Sequence, residues 1–143
     1  MKKFICFVIL FSNISLNASE SKGKITVHMI NFRNNKGDVY VSLYNSGDGF
    51  PEEAKKAYKS IKAKIINNKA EVVFSDILFG NYAVSILHDE NSNGDMDSNW
   101  LGIPKEGYGA SNNPQNKFGP PKFDEAKFKL DSEQLNISIK LQY

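Results

Sequence analysis

From His88 to Asp97 the chain reads His-Asp-Glu-Asn-Ser-Asn-Gly-Asp-Met-Asp, which places oxygen-bearing side chains at Asp89, Asn91, Asn93, Asp95 and Asp97 around Gly94. Oxygen donors two residues apart can surround one hard cation when the chain turns sharply, and a glycine sixth in the run permits that turn. The spacing therefore predicts a calcium loop. With Asp89 first, Asn91 and Asn93 fall third and fifth, the Asp95 carbonyl seventh and Asp97 ninth. This supplies about five protein oxygens where calcium takes 6 to 8. Trp100 occupies the twelfth place, where an EF-hand carries its bidentate glutamate, so the loop is not an EF-hand. Glu90, Glu106, another carbonyl or water is left to complete the shell, with the modest affinity of extracellular calcium modules. In the alternative reading Asn93-Gly94 is a turn and the flanking side chains hydrogen-bond the backbone. Both stay open on sequence alone.

Downstream, Trp100, Tyr108 and Phe118 offer flat apolar faces, and Asn112 and Asn113 offer paired donors and acceptors. These residues are the expected ligand-binding surface, for a small molecule, glycan or peptide. The same rings could instead close the end of a core. A hydrolase built on His88, Asp89 and Glu106 is the rival. Strand alternation sends His88 and Asp89 to opposite faces, which makes a direct catalytic pair awkward. Ser111 lies in no recognisable nucleophile turn, and the neighbouring Asp95 and Asp97 cannot flank a glycosidic bond from two sides. No catalytic residue is therefore assigned, and a non-catalytic domain is expected. A purely structural envelope protein is the third possibility.

The elements that must position these groups begin after residue 18. Lys2 and Lys3 precede an apolar run, Phe4 to Phe11, and a polar stretch ending at Ala18. This order predicts a signal peptide over residues 1–18 and a single periplasmic or secreted domain over 19–143. Leu16 is bulky for its place in the cleavage site, so a start near Ser19 is approximate. The run is shorter than the roughly 20 residues of a spanning helix, and no transmembrane segment is expected in the mature chain. Cys6, the one cysteine, lies within it, leaving the mature chain no disulfide or thiolate ligand. Loss of Lys2 and Lys3 lowers the basic count from 18 to 16, equal to the 16 acidic residues. Without cationic excess, nucleic acid is not an expected partner.

Period-two alternation recurs at Ile25–Met29, Val39–Leu43, Ile61–Ile65, Val72–Phe74, Tyr82–Ile86, Ala126–Leu130 and Ile137–Leu141. Seven short strands, each with one wet face, predict an all-β, seven-stranded antiparallel β-sandwich. Turn residues at Asn34–Gly37 and at Asn67-Asn68 predict two hairpins, joining the first strand to the second and the third to the fourth. One short helix is expected from Pro51, with Glu52 and Glu53 in its first turn and lysines toward its end. From Asp89 to about Lys122 alternation stops, yet the segment carries Trp100, Leu101, Ile103, Tyr108, Phe118 and Phe123. Apolar side chains at that density predict a long ordered loop capping the sandwich.

The succession Asp38 to Tyr44, Gly49-Phe50-Pro51, Gly80 to Val84, His88 to Asn91, Asn93-Gly94, Leu101 to Gly109, Ser111 to Asn113 and Phe118 to Pro121 resembles the secreted bacterial family catalogued as domain of unknown function 2141. The resemblance covers essentially the whole mature chain. It implies an exported sandwich of the transthyretin or immunoglobulin kind, with no established activity.

Overall fold

A computed structural model describes residues 20–116 and 119–143; the proposed signal peptide and Phe118 lie outside the described residues. Eight strands form two facing sheets. They are β1 (Lys22–Ile30), β2 (Asp38–Tyr44), β3 (Lys59–Ala63), β4 (Ala70–Leu78), β5 (Gly80–Asp89), β6 (Gly107–Ala110), β7 (Phe128–Leu130) and β8 (Gln134–Lys140). One sheet has the order β4-β1-β8, and the other β3-β2-β5-β6, with β7 alongside β6 on the same edge of β5. The all-β sandwich expected from alternation is the fold. Ile25, Val27 and Met29 of β1 face Val39, Val41 and Leu43 of β2 in one core with Phe74, Val84, Ile86 and Ile139, all buried.

Three local expectations need correction. The turns at Asn34–Gly37 and Asn67-Asn68 do not close hairpins, because β1 and β4 pair in one sheet and β2 and β3 in the other. Each connection arches across the core. Facing strands bury their apolar sides against one another, and links of seven residues (31–37) and six residues (64–69) span the ~10 Å between sheets where a tight hairpin would not. Asn67 and Asn68 still form a turn, both left-handed, closed by the Ile66–Lys69 pairing. Second, β8 runs parallel to β1, so the sandwich is not wholly antiparallel.

Third, the expected helix from Pro51 is a single 3-10 turn at Ala54–Lys56. Its residues bury no apolar stripe, and so short a helix is marginal without one. The Tyr58 N–H instead donates to the Leu43 carbonyl at 2.8 Å, drawing the chain into β3. A four-residue helix, α1 (Phe123–Ala126), ends where the sixth alternating stretch, Ala126–Leu130, was expected to begin. Ala126 packs with Ala83 and Ala110 on the outer face of β5 and β6, and Phe50 and Phe123 cover them edge to face at 5.9 Å. Three alanines leave room for that close approach. The central strand β5 is thus covered on both faces, and its last residues, His88 and Asp89, are fully buried.

Candidate metal centre

Asp89 ends β5 and points away from His88. Its carboxylate accepts the N–H of Asn93 at 3.2 Å and of Gly94 at 2.7 Å, closing the turn at Gly94, whose φ is +90°. Asn91 Oδ1 accepts the Asn93 N–H at 3.0 Å, and Asn93 Oδ1 accepts that of Asp95 at 2.9 Å. The two amide groups then donate to one carboxylate, Asn91 to Asp97 Oδ2 at 2.5 Å and Asn93 to Asp97 Oδ1 at 3.2 Å. Asp89, Asn91, Asn93 and Asp97 are therefore drawn together in one turn, while the Asp95 side chain is exposed. The backbone-bonding alternative weighed above describes these contacts. Each side-chain oxygen nevertheless has a second lone-pair direction free of the N–H it accepts. Among the described residues no three His, Cys, Asp or Glu side chains are grouped as a metal site. Amide and main-chain oxygens would have to supply most of a shell.

The carboxylates expected to complete that shell have other work. Glu106, nearly buried, accepts the N–H of Glu90 at 2.9 Å through Oε1 and that of Asp97 at 3.1 Å through Oε2, bridging the two ends of the loop. Glu90 accepts from Arg33 Nε at 2.7 Å and from Asn34 at 2.9 Å. Burial works to raise the Glu90 carboxyl, but these hydrogen bonds and the Arg33 charge outweigh it and hold it below its ordinary value.

Asp38 stands opposite Asp89 across the β2–β5 ladder. Like charges so placed repel. Asp38 is relieved by Lys62 at 2.8 Å, by Lys64 and by the Ser92 hydroxyl at 3.0 Å. The hydrogen bonds from Lys62 and then Lys64 hold its carboxyl well below the usual range, against the opposing effect of burial. Asp89 has no cationic side chain within ion-pair distance among the described residues. A carboxyl whose folded-state value is depressed adds stability that is complete above its unfolded value, near 4, and is lost as pH falls through the folded one. The melting-temperature gap between the protein and Asp38→Asn is accordingly expected to stay level from pH 8 to about 5 and to close below about 4. Thermal melts across that range check it.

Among the described residues His88 makes no hydrogen bond to Asp89 or Glu106. Its Nε2 lies 2.9 Å from the Lys36 carbonyl, which can only accept, so Nε2 carries the proton. Nδ1 then accepts from the Tyr143 hydroxyl at 2.7 Å, and that hydroxyl accepts the Arg33 N–H at 3.1 Å. Both ring nitrogens are occupied, and Phe32 packs edge-on against the ring at 5.1 Å. Ser111 is likewise committed: its buried hydroxyl donates to the Ala126 carbonyl at 2.6 Å and accepts the Val84 N–H at 2.9 Å. His28 is an exposed strand residue paired with Glu71 at 2.8 Å.

Of the expected ligand surface, Phe118 lies outside the described residues, and the two asparagines are engaged by the fold. Asn112 donates to the Glu125 and Lys127 carbonyls and so caps α1, while Asn113 both donates to Ser138 and accepts from Lys140, fastening β8. Both asparagines serve the fold. Tyr108 is half-buried in β6. Trp100 stands apart, 90% exposed, with Leu101 and Ile103 also exposed, against the expectation that such side chains would bury. The reason is local. Asn99 accepts the N–H groups of Leu101 and Ile103 at 2.9 and 3.0 Å, so polar bonds rather than apolar packing order this turn.

Residues 27–138 match the model of the family described as "Uncharacterized protein conserved in bacteria (DUF2141)". The chain belongs to this family. Neither a curated protein nor a solved structure matches it. The match runs from β1 into β8, so the DUF2141 region includes the whole Asp89–Asp97 loop and the groups that brace it. Sequence reasoning did not single out Asp38, Lys62, Lys64, Arg33 or Asn99. Only Asn99 had a local signal: Asn-Trp-Leu-Gly carries the first and fourth residues favoured in a type I turn.

Proposed function

We propose that this DUF2141 protein is an exported, non-catalytic domain whose Asp89–Asp97 loop takes up calcium, the ion setting the shape of the following hairpin and the ligand-contacting surface it bears. Export rests on the pattern of residues 1–18. The observation that carries the calcium reading is the convergence of the Asn91 and Asn93 amides on both oxygens of Asp97, beside a buried Asp89 with no cationic partner among the described residues. Rotation of the two amides would exchange N–H donors for carbonyl oxygens. The gap they now bridge would then be ringed by acceptors, and a divalent ion would balance the charges of Asp89 and Asp97. Calcium suits such a site better than magnesium, which keeps its water and demands a stricter octahedron.

Thermal melting with calcium and with chelator tests the reading. With a Kd near 0.1 mM, in the range of extracellular modules, 10 mM calcium is worth about 2.7 kcal/mol and should raise the melting temperature by roughly 10 °C. Asp97→Ala should abolish the rise. A midpoint indifferent to calcium would remove the metal from the account.

A further inference from the structure

The strongest unexplained feature is the hairpin between Ser98 and Pro104, which are bridged to each other. Its seven residues, Ser-Asn-Trp-Leu-Gly-Ile-Pro, carry no charge, and Trp100, Leu101 and Ile103 are 90%, 61% and 55% exposed. Exposed apolar side chains this close together commonly mark a contact surface. Part of the hairpin backbone is already paired: four of its six N–H groups, though not those of Ser98 and Trp100, are satisfied within the turn. The Asn99 N–H donates to the Ile103 carbonyl and the Gly102 N–H to the Asn99 carbonyl, both at 2.9 Å. The Leu101 and Ile103 N–H groups donate to Asn99 Oδ1, and Pro104 has no N–H to satisfy. Four donors that would resist leaving water are thus paired inside the turn. Their bonds also fix the loop in advance, which lowers the entropic cost of docking.

Shape and charge narrow the partner. Small molecules bind in concave pockets, whereas this tip is the end of a hairpin. About three residues on each arm, at roughly 3.3 Å per residue, give a reach near 10 Å, comparable with the depth at which interfacial segments bury apolar groups in a bilayer. Tryptophan favours that zone, where one side of the ring is apolar and its N–H is wet. The base of the hairpin carries both signs: Asp95 and Asp97 on one arm, and on the other Lys105, whose carbonyl accepts from Arg33 at 2.9 Å. That mixture complements headgroups holding both an ammonium and a phosphate, and it lacks the basic excess that draws proteins to anionic lipid.

We propose that Trp100, Leu101 and Ile103 dock the domain onto a zwitterionic lipid surface. The proposal rests on the hairpin being the contact surface named above, and not on calcium. It is therefore tested in chelator, so that its failure and that of the metal are separable. Trp100 is the chain's one tryptophan and reports directly on its own surroundings. Mixing the protein with phosphatidylethanolamine–phosphatidylcholine vesicles should shift its emission to the blue, allow quenching by brominated acyl chains and carry the protein into the vesicle pellet. Leu101→Asp and Ile103→Asp keep the probe and alter exposed positions. Each should lower partitioning roughly 10-fold to 100-fold, with an unchanged melting temperature as the control for folding. Unchanged emission and an empty pellet would overturn the proposal. So would a blue shift without lipid that grows with protein concentration, which would assign the tip to a second copy or another protein surface.

Discussion

Gly37→Ala is expected to lower stability by about 4 kcal/mol or more, the largest loss for so small a change. Gly37 has φ +69°, a conformation that costs a non-glycine residue on the order of 1–3 kcal/mol. The greater penalty is steric. A Cβ there would lie 1.9 Å from the Asp89 carbonyl oxygen and 2.7 Å from Glu90 Cα, both main-chain atoms that cannot swing aside as a side chain could. Relief requires moving β2 away from the end of β5, which disturbs Asp38, His88 and the start of the loop together. Gly94→Ala is the control: its φ is also positive, at +90°, but nothing lies within 4 Å of the added carbon. It should cost only the conformational part. Urea midpoints for the two variants check the difference, and equal losses would contradict the close approach. Since domains of this size are stable by about 5–15 kcal/mol, Gly37→Ala has little margin left.

Glu106→Ala is expected to cost about 3 kcal/mol and roughly 10 °C in melting temperature. Its carboxylate is the common acceptor for the N–H groups of Glu90 and Asp97, and it is nearly buried. Truncation removes two charge-assisted hydrogen bonds and strands two donors, an effect larger than the loss of an exposed ion pair. Glu106→Gln keeps one oxygen and should cost about half as much. Hydrogen exchange at the Glu90 and Asp97 amides distinguishes this role from a general weakening. Those two sites should lose protection far more than the β1 amides.

The sandwich was legible because buried and more exposed residues alternate along β1, β4 and β8, and larger apolar residues recur at every second position of β2 and β5 even though both strands are mostly buried; that pattern depends on each strand alone. Which strands become neighbours does not. Asn34–Gly37 carries the same turn chemistry whether it closes a hairpin or crosses between sheets, and only the arrangement of the second apolar face decides. The short β6 was hidden because two of its four residues are glycine, Gly107 and Gly109, leaving no alternation to read. At the loop, four of the five residues singled out by spacing, Asp89, Asn91, Asn93 and Asp97, are tied into one turn by hydrogen bonds. It did not reveal Asp38, which lies 51 positions before Asp89 in the chain and reaches it through strand register. Nor could residue type tell an asparagine presented to a ligand from Asn112 and Asn113, whose amides fasten a helix end and a strand.

The parallel pairing of β1 with β8 has a consequence in time. Lys24 lies beside Gln134 and Ile30 beside Lys140, so each of these contacts bridges 110 residues. As the chain emerges from the ribosome, β1 can meet β4 first and waits 110 residues for β8. Loops of that length are slow to close, and the β1–β8 pairing is expected to form later than the more local β2–β3 pairing. A nascent chain that has yet to gain this pairing remains threadable.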